Sequence, residues 1–285
     1  MNWVSIYDNA IKILRIKPGV VSNFNVTGVI ILLRRPVDIY PMNKTEKHES
    51  EIVFLEGPQS RWKELKFTFA TMIEFIKGFR ALHFLGPCIT IFGSARFKED
   101  HPYYDLTRKA AAAFAKLGFT IMTGGGPGLM EAANRGAKDV NGRSVACNIL
   151  LPVEQKPNAY LDKWIYIKHF FIRKVLLVKY SFAFVVMPGG YGTMDEYFEA
   201  LTLIQTHKID DFPIIIFGKE FHKDLVAHIE QMRNSATIGP ADAQLFLVTD
   251  SIDEAVNLIV EKSIKQFNLK PKQRIKPFRW LFEKD

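Results

Sequence analysis

The chain has 285 residues, 48% of them hydrophobic and 24% charged, with a formal net charge of +8. The length allows one large domain or two smaller ones, and the apolar fraction is enough for a sizeable core. Two cysteines, Cys88 and Cys147, exclude a zinc cluster built from thiols alone, and the short apolar run at residues 26–33 is well below a membrane span of roughly 20 residues. With no recognisable signal peptide, we predict a cytoplasmic protein.

The basic charge suits phosphorylated ligands, nucleic acid or anionic surfaces. Many basic residues lie near the two ends, within residues 12–35 and 270–279. Such terminal charge is typical of a solvated face or tail, and basic residues do not alternate with aromatic ones as they do in nucleic-acid sites. A nucleic-acid partner is therefore the least favoured hypothesis.

Residues 1–86 read as an N-terminal extension of mixed character. Within it, Trp62 to Phe84 predicts an amphipathic helix, because apolar side chains recur at helical spacing. We interpret this stripe as a packing or subunit-contact surface. Residues 87–266 form the regular domain, and residues 267–285 read as a basic, irregular tail.

From Cys88 onward, short apolar runs alternate with helical patterns. The predicted strands are 88–92, 119–122, 144–149, 164–167, 182–187, 213–217 and 245–248, and the predicted helices that separate them are 103–117, 129–138 and 170–180. This alternation predicts an α/β fold with a Rossmann-like, doubly wound parallel sheet.

Three of these strands are followed by glycine-bearing loops: Gly93-Ser94, Gly124 to Gly128, and Gly189 to Thr193. Ligands of open α/β sheets bind beyond the carboxyl ends of strands, where these loops would converge. We predict a site for a nucleotide or sugar phosphate, with Ser94, Gly125 and Gly126 among the residues that contact it. Arg96 follows Ser94 and is either a second contact or a solvated charge.

The run from Pro188 to Glu196 lies between a predicted buried strand and a helical segment that begins near Tyr197. A strand, a glycine-rich turn and a helix together form an anion-binding device, because free N–H groups at the helix start face the anion. Gly189, Gly190, Gly192 and Thr193 are the predicted phosphate contacts. Glu196 would repel a phosphate, so its presence suggests chemistry on the substrate.

Two other nucleotide-binding patterns fit poorly. Leu129 stands where the third glycine of a dinucleotide fingerprint belongs, and Asn148 lies near the place of the ribose-binding acid. Neither loop ends in the Gly-Lys-Ser/Thr of a P-loop. NAD binding and ATP hydrolysis are therefore disfavoured.

The sequence resembles the Lonely Guy (LOG) family, the cytokinin riboside 5′-monophosphate phosphoribohydrolases, and its larger subgroup in particular. Residues 188–196 match the family signature P-G-G-x-G-T-x-x-E at every fixed position, and Arg173-Lys174 matches the Arg-Lys pair on the preceding helix. Residues 124–130 match a third element, and the resemblance covers about residues 86–233. Such proteins have often been labelled lysine decarboxylases, but no pyridoxal-phosphate lysine motif is recognisable.

The resemblance implies hydrolysis of the N-glycosidic bond of a nucleoside 5′-monophosphate, AMP or an N6-substituted relative, to a free base and ribose 5-phosphate. It implies Glu196 and Arg173 as catalytic residues, no metal or cofactor, and a homodimer or larger assembly. The alternative is a protein that binds a nucleotide or molybdenum cofactor without turnover. Four further residues read as structural rather than catalytic: Glu131, Asn134, Arg135 and His169.

Overall fold

The structure is a computed structural model that describes residues 57–150, 156–210 and 212–265. Its centre is a seven-stranded sheet in which every neighbouring pair of strands is parallel. The strands are β1 (Cys88–Phe92), β2 (Thr120–Thr123), β3 (Ser144–Ile149), β4 (Lys163–Ile167), β5 (Ser181–Val186), β6 (Ile214–Ile216) and β7 (Phe246–Val248). Their order across the sheet is β4-β3-β2-β1-β5-β6-β7, so the direction of winding reverses between β1 and β5.

Helices cover both faces of the sheet. They are α1 (Arg61–Leu82), α2 (Pro102–Lys116), α3 (Leu129–Asp139), α4 (Phe170–Tyr180), α5 (Tyr191–Gln205), α6 (Lys223–Asn234) and α7 (Ile252–Ile259), with a 3₁₀ turn at Asp242–Gln244 and a π-helical turn at Val260–Lys265. One apolar core lies under α1, α4, α5 and α6, and includes Leu82, Leu176 and Tyr197. The other lies under α2, α3 and α7, and includes Phe114 and Leu129.

The predicted fold class is confirmed, and the predicted strands match the observed ones to within one residue at each end. The predicted start of α5 is wrong. This helix begins at Tyr191 rather than near Tyr197, because Gly190 adopts the N-cap position and the chain coils at once. The predicted terminal tail and residues 1–56 of the predicted extension lie outside the described residues, so the proposed domain limits stay a prediction.

Helix α1 is tied to the start of α4 by one carboxylate. Glu74 accepts a hydrogen bond from the backbone N–H of Lys168, and its Oε2 atom lies 2.5 Å from Nδ1 of His169. His169 is the N-cap residue of α4, but its own side chain makes no capping bond. A carboxylate beside a helix N-terminus is favourable, because it faces the unpaired N–H groups and the positive end of the helix dipole. Glu74 therefore stabilises the first turn of the helix that carries Arg173.

Candidate functional site

The glycine-bearing loops meet at the carboxyl edge of the sheet, where its winding reverses. Ser94, which follows β1, donates its backbone N–H to the carbonyl of Pro188, which follows β5, at 3.0 Å. The carbonyl of Ser94 in turn accepts from the N–H of Leu129, the first residue of α3, at 2.9 Å. The backbone of Ser94 thus joins the loops after β1 and β5 to the end of the loop after β2. This is the place where open α/β sheets bind their ligands.

Gly128 is the tightest point of this junction. It has φ +71°, and a Cβ atom built on it would lie 2.5 Å from the carbonyl oxygen of Ser94 and 2.7 Å from the carbonyl carbon of Ala95. Both contacts are with backbone atoms, which cannot rotate away. A side chain here would therefore push the loop after β1 away from α3.

We expect Gly128→Ala to lower the free energy of unfolding by about 2–5 kcal/mol, the sum of left-handed strain and overpacking. The matched control is Gly86→Ala, since Gly86 has φ +76° but nothing within 4 Å of its Cβ position. That variant should lose only about 1–2 kcal/mol. Chemical denaturation measures both values, and equal losses would show that the contact with Ser94 does not matter.

The N-terminus of α5 is open on one side. Gly190 and Gly192 have no atom within 4 Å of a Cβ position, and Tyr191 between them is 97% exposed. The first N–H groups of a helix have no partner within it, so this end can receive an anion. Thr193 differs from the sequence-based expectation, since it lies inside the helix rather than in a turn before it. Its side chain is buried against Gly189, where a Cβ would lie 2.1 Å from Oγ1.

Glu196 lies one turn further along α5 and is 2% exposed. Its Oε2 atom is buried with no hydrogen-bond partner. The pKa of Glu196 is raised to about 7, chiefly by burial; Arg173 and Lys174 oppose this rise, and Glu199 and Asp195 add to it. A carboxyl group with a pKa near neutrality can both carry charge and exchange a proton, as a general base requires.

Arg173 projects from α4 toward the loop after β2. Its Nε atom donates to the carbonyl of Cys147 at 3.1 Å, which fixes the guanidinium beside the end of β3. A Cβ on Gly124 would lie 3.1 Å from its Nη2 atom, so the missing side chain there makes room for the guanidinium. Arg173 also contributes to the electrostatics of Glu196. The two residues that the family resemblance implies as catalytic therefore lie close enough to influence each other.

The loop after β2 is held by a buried polar network. Gly125 has φ +77° and donates its N–H to Oγ1 of Thr123 at 2.9 Å. Nδ2 of Asn158 donates to the carbonyl of Gly126 at 3.1 Å and to Oδ1 of Asn134 at 2.9 Å. Asn134 is fully buried, in keeping with a structural role. Gly125 and Gly126 thus owe their conformation to buried side chains beneath the loop.

Asn148 has a buried donor that sequence reasoning did not identify. Its Oδ1 atom accepts from the N–H of Ile149 at 2.8 Å, which leaves the NH₂ group as the free end. That Nδ2 atom has no hydrogen-bond partner, and it lies 3.7 Å from the Cβ position of Gly125. A buried donor of this kind costs about 1–3 kcal/mol when it is unpaired. An acceptor on a bound ligand would satisfy it.

The other candidates make contacts of their own. Arg96 donates its backbone N–H to Oγ of Ser94 at 3.1 Å. Glu131 accepts from the hydroxyl of Tyr104 at 3.2 Å, and Arg135 pairs with Glu99 at 2.7 Å. These contacts assign Glu131 and Arg135 to the packing of α3.

The described residues contain neither a candidate metal cluster nor a helix that could span a membrane. No group of three or more His, Cys, Asp or Glu side chains in that part of the chain could hold a metal ion. No helix within the described ranges is both long and apolar enough to cross a membrane.

Comparisons with known proteins find one matching family model and several relatives that are similar to part of this chain. A family model described as "Possible lysine decarboxylase" matches residues 130–259. A protein of Mycobacterium tuberculosis named cytokinin riboside 5'-monophosphate phosphoribohydrolase is 29% identical over 53% of this chain and 82% of its own length. An uncharacterized protein of Archaeoglobus fulgidus is 33% identical over 42% of this chain and 78% of its own.

Solved structures include more distant likenesses. The molybdenum cofactor binding protein of Rippkaea orientalis matches with a TM-score of 0.47 and 21% identity, over 62% of this chain and 96% of that one. The molybdenum cofactor carrier protein of Chlamydomonas reinhardtii matches with a TM-score of 0.47 and 20% identity, over 63% and 99% of the two chains. At these values the likeness carries no argument about a ligand.

Proposed function

The chain belongs to the Lonely Guy (LOG) family, and from that membership we propose that it hydrolyses the N-glycosidic bond of a nucleoside 5′-monophosphate. The products are the free base and ribose 5-phosphate. AMP and its N6-substituted relatives are the proposed substrates. One observation carries the proposal: a buried carboxylate, Glu196, lies one turn inside a helix whose N-terminus is open to an anion.

In this proposal the phosphate binds at the start of α5. The backbone N–H groups around Gly190 and Gly192 hold it, and no side chain at either glycine obstructs the approach. Thr193, packed against Gly189, fixes the shape of the turn. The phosphate therefore anchors the substrate at a fixed distance from the carboxylate on the same helix.

The proposed reaction breaks the bond between C1′ and the nitrogen of the base. The bonding electrons leave with the base, and positive charge of oxocarbenium type develops on the ribose. The carboxylate of Glu196 stabilises this charge and accepts a proton from the water that attacks C1′. The water oxygen becomes the new hydroxyl of the sugar, and the departing base takes up a proton.

Arg173 acts on the same reaction by position and charge. Its Nε atom is committed to the carbonyl of Cys147, which leaves the other end of the guanidinium for the substrate. A fixed positive group is also needed beside Glu196, because burial alone favours the uncharged form of that carboxyl. We assign Arg173 to both tasks.

Incubation of the purified protein with AMP tests the proposal. We expect free adenine and ribose 5-phosphate in equal amounts, measured by chromatography. AMP that stays bound and intact would instead favour the alternative of a nucleotide carrier. A panel of N6-substituted monophosphates, run in parallel with the nucleosides that lack the phosphate, tests the substrate class, and activity on a nucleoside alone would contradict the phosphate anchor.

We also propose a homodimer or a larger assembly. Supporting this, α1 exposes Met72 and Ile76, and α4 exposes Phe171 and Val175, each pair one turn apart on its helix. Exposed apolar side chains that are grouped in this way are typical of contact surfaces. Light scattering with size-exclusion chromatography measures the mass of the assembly.

A further inference from the structure

Lys174 forms ion pairs with two carboxylates on a neighbouring helix. Its Nζ atom lies 2.8 Å from Oδ2 of Asp195 and 3.0 Å from Oε2 of Glu199. Lys174 belongs to α4, whereas both acids belong to α5, so the pairs join the two helices. The lysine side chain is 19% exposed. Ion pairs that are partly buried in this way are screened by salt less than pairs on the open surface.

The two acids bracket Glu196 along α5, one residue before it and three residues after it. Without a cation, three carboxylates within five residues would repel one another, and the most buried of them would be the first to take up a proton. Glu196 is that residue, at 2% exposure, against 54% for the side chain of Asp195 and 29% for that of Glu199. Its charge is therefore sensitive to whatever neutralises its neighbours.

The charged groups that influence Glu196 come from two helices. Burial is the main cause of the raised pKa of Glu196, which is about 7; Arg173 and Lys174 of α4 oppose the rise, and Glu199 and Asp195 of α5 add to it. The thiol of Cys147 on β3 also interacts with Glu196, but burial raises the pKa of that thiol to about 12, so it is neutral. Arg173 is held by the carbonyl of Cys147, which leaves Lys174 as the cation that pairs with the flanking acids.

Lys174 itself stays charged in this setting. Burial works to lower its pKa, but the ion pairs with Asp195 and Glu199 and the charge of Glu196 outweigh burial, so the pKa is raised overall. The lysine thus delivers a permanent positive charge between the two helices.

We propose that Lys174 is a positioning residue of the candidate site, which neutralises the carboxylates on both sides of Glu196 and so keeps Glu196 charged. The inference rests on the proposed function, in which a charged Glu196 meets a substrate that brings a phosphate. That phosphate adds further negative charge at the start of α5. Lys174 offsets the added charge, so a larger fraction of Glu196 stays ionised when the substrate is bound than would be ionised without the lysine.

The first experiment measures the pH dependence of kcat and kcat/KM for Lys174→Met. We expect the acidic limb of both profiles to move up by about one pH unit, at the lower end of the effect of a nearby opposite charge. Activity should then fall about fivefold near pH 7, where the ionised fraction of Glu196 drops from about one half to about one tenth, and return almost to that of the parent at about pH 9. Lys174→Arg should keep most of the parent profile.

Lys138→Met is the matched control, because Lys138 also pairs with a carboxylate, Asp162, at 2.5 Å but on the far end of α3. It should leave the profile unchanged. A loss of activity in Lys174→Met that is equal at every pH would overturn the inference, because it would indicate a role in folding or in direct binding.

A second variant keeps the inference testable if Lys174→Met does not fold. Glu199→Gln removes one of the acids that raise the pKa of Glu196, so the acidic limb should move to lower pH. In the double variant Lys174→Met/Glu199→Gln, the limb should return toward that of the parent. No shift in Glu199→Gln, or a double variant whose limb stays with that of Lys174→Met, would contradict the proposed coupling.

A measurement of stability, which does not depend on catalysis, separates this inference from the proposed function. The pH dependence of unfolding is compared between the parent and Glu196→Gln, with and without Lys174→Met. If Lys174 keeps Glu196 ionised, the Glu196→Gln substitution should stabilise the protein more in the Lys174→Met background near neutral pH. That result in a protein without hydrolase activity would refute the proposed function alone, whereas an active protein without the coupling would refute the role of Lys174.

Discussion

Replacing Glu196 with glutamine should lower kcat for nucleoside monophosphate hydrolysis by about 10²–10⁴-fold, the effect of a positioned acid or base. Glutamine keeps the size of the side chain but can neither accept a proton nor offset positive charge on the ribose. KM should change by less than about threefold, because the phosphate contacts at the start of α5 are untouched. Formation of free base under saturating substrate measures the loss.

Glu131→Gln is the matched control, since the same chemical change is made where the carboxylate only accepts a hydrogen bond from Tyr104. It should keep most of the activity. If Glu196→Gln loses less than about tenfold, or if both variants lose activity equally, the proposed mechanism is wrong.

The Glu196→Gln substitution should also change the stability of the protein. Burial raises the pKa of Glu196 from 4.5 to about 7, so between these values the folded protein holds a proton that the unfolded chain has released. The stability contributed by this group is thus present below pH 4.5 and lost as the pH rises to 7, by about 3 kcal/mol at most. Glu196→Gln should therefore unfold at a higher temperature than the parent above neutral pH, and at a similar temperature in acid.

Arg173→Ala should lower kcat/KM by about 10²–10³-fold, the cost of removing a fixed donor from an active site. The variant loses the positive charge beside Glu196, so part of the activity should return at higher pH, where Glu196 ionises without help. Arg173→Lys should restore only part of the activity. A guanidinium can donate to the Cys147 carbonyl through Nε and still offer its other N–H groups to the substrate, whereas a lysine has a single ammonium group. Steady-state kinetics across the pH range measure both effects.

Arg143→Ala controls for the structural share of this loss. Arg143 also donates to a backbone carbonyl, that of Phe84, at 2.8 Å, but away from the glycine-bearing loops. Each variant should lose about 1 kcal/mol of stability from the lost hydrogen bond. Only Arg173→Ala should lose activity, and a comparable loss in Arg143→Ala would show that stability rather than chemistry is responsible.

The sheet could be predicted from sequence because its strands are almost wholly buried, and a buried parallel strand reads as a continuous apolar run. The start of α5 could not, since Gly190 and Gly192 are poor helix formers and read as a turn. In the folded protein Gly190 is the N-cap residue and Gly192 lies in the first turn. The N–H groups of a first turn have no partner within the helix. Helices α6 and α7 were not predicted.

The candidate site was only partly visible in the sequence. Spacing and family resemblance identify Glu196 and Arg173 as candidate catalytic residues. Whether the predicted contacts touch a substrate stays a prediction. The cytoplasmic setting also stays a prediction. The pairing of Lys174 with Glu199 and the unpaired donor of Asn148 depend on side chains that are brought together by the fold. No local pattern encodes such contacts.

The carboxylate of Glu74 sets a practical limit on how far this protein can be shortened. It lies on a helix before the first strand and holds Lys168 and His169, the two residues that lead into α4, and α4 carries Arg173 and Lys174. A fragment trimmed to begin at β1 would keep every residue of the family signature and every strand, yet it would leave the start of α4 without that partner. The smallest fragment expected to retain full activity therefore includes all of α1, from Arg61 onward.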